Sequence, residues 1–537
     1  MEGDCGMKLL SLKNINWNPE TVTLLLLGLS FFVGIWHGLP QLTIIADENY
    51  FVGGVLRAME NKTILPAPDD VPYGTLTYFF SYVAIAFYLV ILSPFFGFNL
   101  DALKSFLIQS PEFVYIIPRA LSAIFAMGYL YFIYKLLKRE VDDRGVRTVF
   151  LILLFTNMLT VLILHTGKMW VLSTLLAVMS FYYLYQTIMA NDEISAKRHS
   201  LKSIVLGFLA AANFPLNAIF LINIPVLLIW FRKNKKLLGK LVLFSLIGLI
   251  IYAGITALNF TSVKNQVISI FTNYNPVLDT NTAPEASVLQ SFGAQLTKIF
   301  AFFPLLLAML PFGIARRVKN KKLLVISLVY FLTYFISISV VANWATDLYS
   351  YTRYSFPLVF FIFFIILSFN YSFSRWFYGV AAISVLYFVF TIYYLAAPTT
   401  YNLAEIYVAQ NLNKENAVVV NEIWTLQLPK NKASYELNQE YFCASKCQNV
   451  IANDLYSDIK PLIIDKHTQE TFELPKDKTI YYLKNELQDE KNYKLLASFS
   501  NDVGLHFGVE GRMANYFDWD LFLAKHFGSN IYIYEQL

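Results

Sequence analysis

Two adjacent acids, Asp47 and Glu48, stand in the stretch TIIADENYFVGG, just after the first long apolar run of the chain. A carboxylate at the rim of an apolar cavity can take a proton from an acceptor hydroxyl or amine as a general base. The same acids suit a helix N-terminus, where Asp47 would cap and offset the macrodipole. Spacing alone favours the cap, and both readings stay open. Basic residues recur at the ends of later apolar runs: Arg119 in IIPRALSAIF, Lys168 in HTGKMW beside His165, and Arg353 in YSYTRYSFP. A guanidinium matches phosphate oxygens, so together they suggest an electropositive pocket for an anionic lipid head. Snorkelling accounts for each of them singly. Tyr349, Tyr351 and Tyr354 flank Arg353. They read as interface-belt aromatics or as the lining of a sugar or lipid groove. Cys443 and Cys447 form CASKC, and Cys5 stands alone. Without a second Cys/His pair this is weak for metal. A local disulfide fits an extracytoplasmic location, and two free thiols remain the simpler alternative.

These residues are positioned by a chain built for lipid. Of its 537 residues 56% are hydrophobic and only 15% charged, where a soluble protein is nearer a quarter charged. The net charge of +5 is no nucleic-acid signal, because the basic residues lie in short clusters between apolar runs. Those runs fall near 21–39, 74–98, 114–134, 147–165, 169–189, 203–231, 237–257, 297–314, 323–342, 354–370 and 376–397. Most have the roughly 20 residues of a transmembrane helix. The loops 135–147, 197–202, 232–240 and 316–322 hold five, three, five and five Lys or Arg. The positive-inside rule places all four in the cytoplasm. The run 203–231 then enters and leaves on one side, as two short spans broken at NFPLN by Pro215. The run 74–98 must begin and end outside, as a juxtamembrane or re-entrant segment. The expected topology has about 11 transmembrane helices, N-terminus cytoplasmic and C-terminus extracytoplasmic, in a plasma (inner) membrane. No signal peptide is evident.

The last 140 or so residues differ in kind. Strand-like AVVVNEIW, TIYYLKNE and NIYIYEQL alternate with helical LAEIYVAQNLN and DWDLFLAKHF. The expected domains are 1–397, a transmembrane catalytic domain with a first outer loop at 40–118, and 398–537, a soluble extracytoplasmic α/β domain. The latter has no phosphate loop or nucleophile elbow and reads as a stabilising or substrate-steering cap.

At this point a family resemblance enters. The first 400 or so residues resemble the GT-C superfamily of polytopic glycosyltransferases, nearest the branch of protein mannosyltransferases and aminoarabinose transferases. ADENYFVGGVLRAMENKTILP is similar to the family's first outer loop, and YGTLTYFFSYVAI to its juxtamembrane helix. PRALSAIFAMGYLYFIYKLLKRE resembles its Arg-x-x-Ser-Ala span, and TRYSFPLVFF its late Arg-Tyr-x-x-Pro motif. The chain departs from the pattern at PYGTLTY, at Lys168 where an acid is usual, and at Asn213-Phe214 where Thr-Lys is usual. The resemblance implies an inverting transfer of a sugar from a polyprenyl-phosphate donor to a lipid, glycan or protein acceptor. It implies Asp47 as catalytic carboxylate with Glu48 beside it. Arg353 would hold the donor phosphate, with Lys168, Arg119, Tyr349 and Tyr354 as further donor-binding residues. No cofactor is required by it, although some members use a divalent metal held by an acid and a His. Two other readings stay open: a transporter or flippase of lipid-linked saccharides, suggested by the break at NFPLN, and a membrane glycan polymerase or ligase of another class.

Overall fold

The computed structural model describes residues 18–40, 48–67, 71, 74–261, 263–264, 288–341, 352–372, 374–423, 426–438, 459–466, 474–475, 477–489, 491–500, 526 and 528–537. Asp47, Tyr349, Tyr351, Cys5, Cys443 and Cys447 lie outside these residues.

The apolar runs become helices whose ends are set by local capping. Helix α1 (Pro19–Ser30) starts at Pro19 behind Asn18, whose side chain accepts from Thr21 N. Next come α2 (Glu48–Glu60), α3 (Thr75–Leu92), α4 (Leu100–Gln109) and α5 (Glu112–Glu140). Helix α6 (Arg144–Phe155) is capped by Asp143, and α7 (Met158–Leu164) by Asn157. Helices α8 (Trp170–Ile188) and α9 (Glu193–Asn213) pack as a hairpin. After α10 (Asn223–Trp230) and α11 (Lys235–Ala257) come α12 (Val288–Phe302), α13 (Pro304–Leu307) and α14 (Leu310–Ile314). The bundle ends with α15 (Lys321–Val341), α16 (Phe356–Leu367) and α17 (Arg375–Ala396).

Six described helices are long and apolar enough to cross a membrane, or eight if two bent pairs count as one span each. The shorter apolar helices 19–30, 215–230 and 353–367 stand beside them, and the six include α3, which is not one of the about eleven spans expected from the sequence. The expected spans 147–165 and 297–314 are broken, by 63° between α6 and α7 and by 84° between α12 and α13. Phe303 precedes Pro304 and cannot stay helical comfortably. Asn157 caps α7 at the other break and donates from Nδ2 to Phe302 O at 2.7 Å. The two breaks thus brace each other.

Run 203–231 does fold back on itself. Asn213 ends α9, Pro215–Ile222 forms a 3-10 helix, and α10 returns. A 3-10 helix rises about 2.0 Å per residue against 1.5 Å in an α-helix, so few residues cover the return distance. Run 354–370 is not a lipid-facing span. Its 12-residue helix α16 is buried on nearly every side, as an all-round apolar helix must be. Phe364 stacks on Phe181 at 4.3 Å and Phe361 meets Tyr330 at 5.5 Å. By contrast, α11 exposes Leu243, Leu246, Leu249 and Ile250 as a lipid-facing stripe.

The four basic loops gather at one end of the bundle. Lys319 Nζ donates to Glu140 O, Lys202 lies over Tyr183, and Lys322 over Trp230. Helix α3 has the length of a span, yet both its ends lie at the opposite end. Gly74, at φ +78°, leaves room for Phe51 and Met169, which a Cβ there would meet within 3 Å. At the other terminus Phe96 contacts Phe106 at 5.0 Å, which contacts Phe113 in the first turn of α5 at 5.2 Å. A helix crossing beside the 29-residue α5 would instead bring Phe96 to the far end of it, about 40 Å away. The exposed Val83, Phe87 and Val90 on α3, and Phe95 in the 3-10 turn after it, are apolar surface that lipid must cover.

Beyond Ala396 a separate core begins. Helix α18 (Thr400–Asn411), opened by a Thr399/Asn402 capping box, packs on a sheet with α19 (Lys432–Asn438). The strands are β1 (Ala417–Asn421), β2 (Leu462–Asp465), β3 (Thr479–Lys484), β4 (Tyr493–Phe499) and β5 (Ile531–Gln536), in the order β2-β1-β3-β5-β4. β1 runs parallel to β2 and β3, and β5 antiparallel to β3 and β4. The three strand-like runs read from sequence are β1, β3 and β5; DWDLFLAKHF falls almost wholly outside the described residues. Asn402 Nδ2 donates to Gly38 O and Leu39 O, tying this domain to the loop after α1.

Candidate active site

Glu48 opens α2, and Arg119 follows Pro118 inside α5. Both side chains are buried, at 2% and 1% exposure. Arg119 Nε donates to Glu48 Oε1 and Oε2 at 3.1 and 3.0 Å, and Nη2 to Oε2 at 2.7 Å. Its Nη1 donates to Ile35 O and His37 O at 2.9 and 2.6 Å. Gly167 N donates to Glu48 Oε1 at 2.6 Å. A Cβ at residue 167 would stand 3.0 Å from the Pro118 Cβ and 3.4 Å from that oxygen, so the approach is tight for any larger residue. Each oxygen of Glu48 thus accepts two hydrogen bonds. This differs from the expectation for both residues. Glu48 is an anchored carboxylate rather than a second open acid, and Arg119 spends its fork on Glu48 and two carbonyls rather than offering it to a ligand. The anchor fixes the helix start immediately after Asp47.

Gly167 is followed by Lys168, 1% exposed, and then by Trp170 at the first position of α8. The Trp170 ring meets Phe214 at 4.7 Å and Tyr354 at 5.5 Å. The Arg353 guanidinium lies over Tyr354, 5.4 Å from its centroid. Arg353 itself is 7% exposed. Tyr334 OH donates to Tyr354 O, and Ser355 Oγ to Gln295 Oε1 at 2.9 Å. The five expected residues that are described, Glu48, Arg119, Lys168, Arg353 and Tyr354, therefore join one continuous assembly. It lies at the end of the bundle away from the basic loops.

His165 is engaged by backbone carbonyls. Its Nδ1 meets Val161 O at 2.6 Å and its Nε2 Ser30 O at 3.3 Å. The frame is completed by Asn213, whose Oδ1 accepts from Thr77 N and whose Nδ2 donates to Ser173 Oγ at 2.7 Å. Sequence reasoning did not single out Trp170, Gln295 or the fully buried Lys298 on α12. Lys298 lies inside an apolar run, where an isolated Lys was the available signal. Nothing in the sequence marked Gln295. Two buried donors, Tyr115 OH and Trp170 Nε1, have no hydrogen-bond partner.

Among the described residues no three His, Cys, Asp or Glu side chains gather as metal ligands would. No family model matches the chain, and no curated protein matches it. Among solved structures, similarity extends to the crystal structure of ArnT from Cupriavidus metallidurans bound to undecaprenyl phosphate. The identity is 11% and the TM-score 0.44, over 73% of this chain and 72% of that one. The architecture seen here is a polytopic helical bundle with a small C-terminal α/β unit.

Proposed function

We propose that this chain is an integral-membrane glycosyltransferase, moving a sugar from a polyprenyl-phosphate carrier to a lipid, glycan or protein acceptor at the outer face. One observation carries the reading: the Arg119–Glu48–Gly167 clamp sets the residue after Asp47 directly against the turn that bears Lys168. That contact supports reading Asp47, the neighbour of Glu48 in sequence, as an acid that works with Lys168, the neighbour of Gly167. On this reading residues 1–397 are catalytic and 398–537 lie outside the cytoplasm. The N-terminus is cytoplasmic and the membrane is the plasma (inner) membrane.

The chemistry is a single displacement. Asp47 accepts the proton of the acceptor hydroxyl as its oxygen attacks the anomeric carbon. The carbon–oxygen bond to phosphate breaks on the opposite face, so the configuration inverts. The electron pair leaves on the phosphate, whose charge Lys168 and Arg353 neutralise in a water-poor setting. Arg119 and Glu48 position Asp47 without touching substrate. The experiment is incubation of the purified protein with a panel of polyprenyl-phosphate sugars and acceptors, read by mass spectrometry. Donor consumption in the wild type, lost in Asp47→Asn, is the expected result. Full transfer by Asp47→Asn would sink the base assignment.

A second reading, transport of a lipid-linked saccharide, draws on the two bent helices braced at Asn157 and Phe302, a device that transporters share. Movement of intact donor across vesicles without its cleavage would favour that reading.

A further inference from the structure

We infer that the seam between α5 and α8, at the basic end of the bundle, holds an anionic phospholipid. Its acyl chain follows the apolar part of the seam, and its phosphate sits among Lys135, Arg139, Arg198 and Lys202. The site lies at the opposite end of the bundle from the candidate active site and stands apart from the transfer reading.

The apolar part is a pair of stripes. On α5, Ile124, Met127 and Tyr131 are 54%, 47% and 51% exposed. Steps of three and four residues put them on one helix face, and the next step along that face is the exposed Lys135. On α8, Leu175, Met179, Tyr182 and Gln186 recur at the same spacing and are half-buried. The two stripes run side by side. Leu175 closes on Gly128, where a Cβ would meet it at 3.2 Å. Phe132 meets Tyr182 at 5.5 Å and Tyr183 at 6.1 Å. The surface so formed passes from aliphatic to tyrosine to cation, the order in which a bilayer passes from tails to headgroups.

Three helices build the head of the site. Lys135 Nζ lies 4.5 Å from the Tyr131 ring centroid. Arg139 Cζ lies 5.0 Å from that of Tyr185, and its Nη1 donates to Gln186 Oε1. From α9, Lys202 Nζ lies 4.9 Å from the Tyr183 centroid, and His199 stacks on the same ring at 5.7 Å. These cations rest on ring faces, so less side-chain freedom is lost when a ligand arrives. Each ammonium has three donors and keeps some to spare.

Charge balance then selects the ligand. The nearby acids are engaged elsewhere. Glu193 pairs with Lys197 at 3.3 Å, Asp192 accepts from Ser195 N, and Glu140 is turned to Tyr185 and Asn320. Among the described residues Arg139 is the one cation of the four that meets a carboxylate, Glu140 at 3.6 Å. A phosphodiester supplies the missing negative charge and accepts from guanidinium and ammonium alike. The choline of a zwitterionic lipid would bring a further cation into the cluster. A soluble phosphate would match the charge and leave the apolar seam uncovered.

The test is native mass spectrometry of the purified full-length protein with phosphatidylglycerol and phosphatidylcholine of matched chains. It is joined to photocrosslinking by a phosphatidylglycerol that carries a diazirine in its acyl chain. Wild type is expected to hold phosphatidylglycerol about tenfold more tightly than phosphatidylcholine, with crosslinks on 121–131 and 175–182. Lys135→Gln combined with Lys202→Gln is expected to lower that affinity about fivefold per cation removed. Lys233→Gln combined with Lys236→Gln, exposed positions around the start of α11, is expected to leave it unchanged. The crosslinks need no variant, so they decide the matter where the first pair fails to fold. Equal retention of the two lipids, equal loss in both double variants, or crosslinks confined to other helices overturns the site. Displacement of the lipid by glycerol 3-phosphate assigns the cluster to a soluble anion and overturns the lipid ligand.

Discussion

Among the described residues the bundle holds two buried arginine–glutamate pairs of nearly the same design, one at each end. At the basic end Arg147 holds Glu20 at 2.6 Å and donates to the carbonyls of Val141 and Asp142. At the other end Arg119 holds Glu48 and donates to the carbonyls of Ile35 and His37. Each joins distant parts of the chain and stitches α1, or the loop after it, to a later helix. What surrounds them differs. Around Arg147 the polar groups close on one another: Tyr185 bonds Glu140, Asn320 bonds both, and Lys319 reaches Glu140 O and Asp142. Around Arg119 the closure is incomplete, since Tyr115 OH and Trp170 Nε1 are left over. The same device thus stands in a closed network at one end and beside unpartnered donors at the other.

The largest expected effect lies beside the second pair and not the first. Asp47→Asn should lower transfer by about 10²- to 10⁴-fold, the usual worth of a general base, with the expression level and thermal midpoint of wild type. Next come the pairs themselves. Glu20→Gln and Glu48→Gln should each destabilise by about 3–5 kcal/mol, because each strands a buried guanidinium. Turnover measured on the folded fraction should fall only for Glu48→Gln. Equal turnover loss in both would erase the contrast. Smaller again is Gly167→Ala, whose new Cβ crowds Pro118 at 3.0 Å beside the Glu48 carboxylate. About 1–3 kcal/mol of overpacking is expected, with lowered turnover. Gly128→Ala is the control, since its Cβ meets only the flexible end of Leu175 at 3.2 Å.

Much of this architecture was legible because lipid imposes simple rules. Long apolar runs and the Lys/Arg loops located most helices and gathered the basic loops at one end. Pro215 marked the fold-back between α9 and α10. Alternating apolar residues found β1, β3 and β5. What stayed hidden depends on partners far apart in sequence. Glu48 and Arg119 are 71 residues apart, so nothing local reveals that each consumes the other. The mutual brace of Asn157 and Phe302 spans 145 residues, and a span bent at its middle looks the same in composition as a straight one. Helix α16 has the hydropathy of a lipid-facing span because burial in protein and burial in lipid select the same side chains. Trp170 could not be read as a donor lacking a partner until every neighbour of its ring was known.

Helix α3 carries a consequence for how the chain is made. Its apolar stretch is the kind that insertion machinery releases sideways into the bilayer on hydropathy alone. Both its ends nevertheless finish at the same end of the bundle. The bonds that fix its start, from Thr77 to Asn213, join residues 136 positions apart. They cannot form until α9 has been synthesised. During that interval α3 is a hydrophobic segment without its final anchor, and its placement is settled by assembly after translation has moved on.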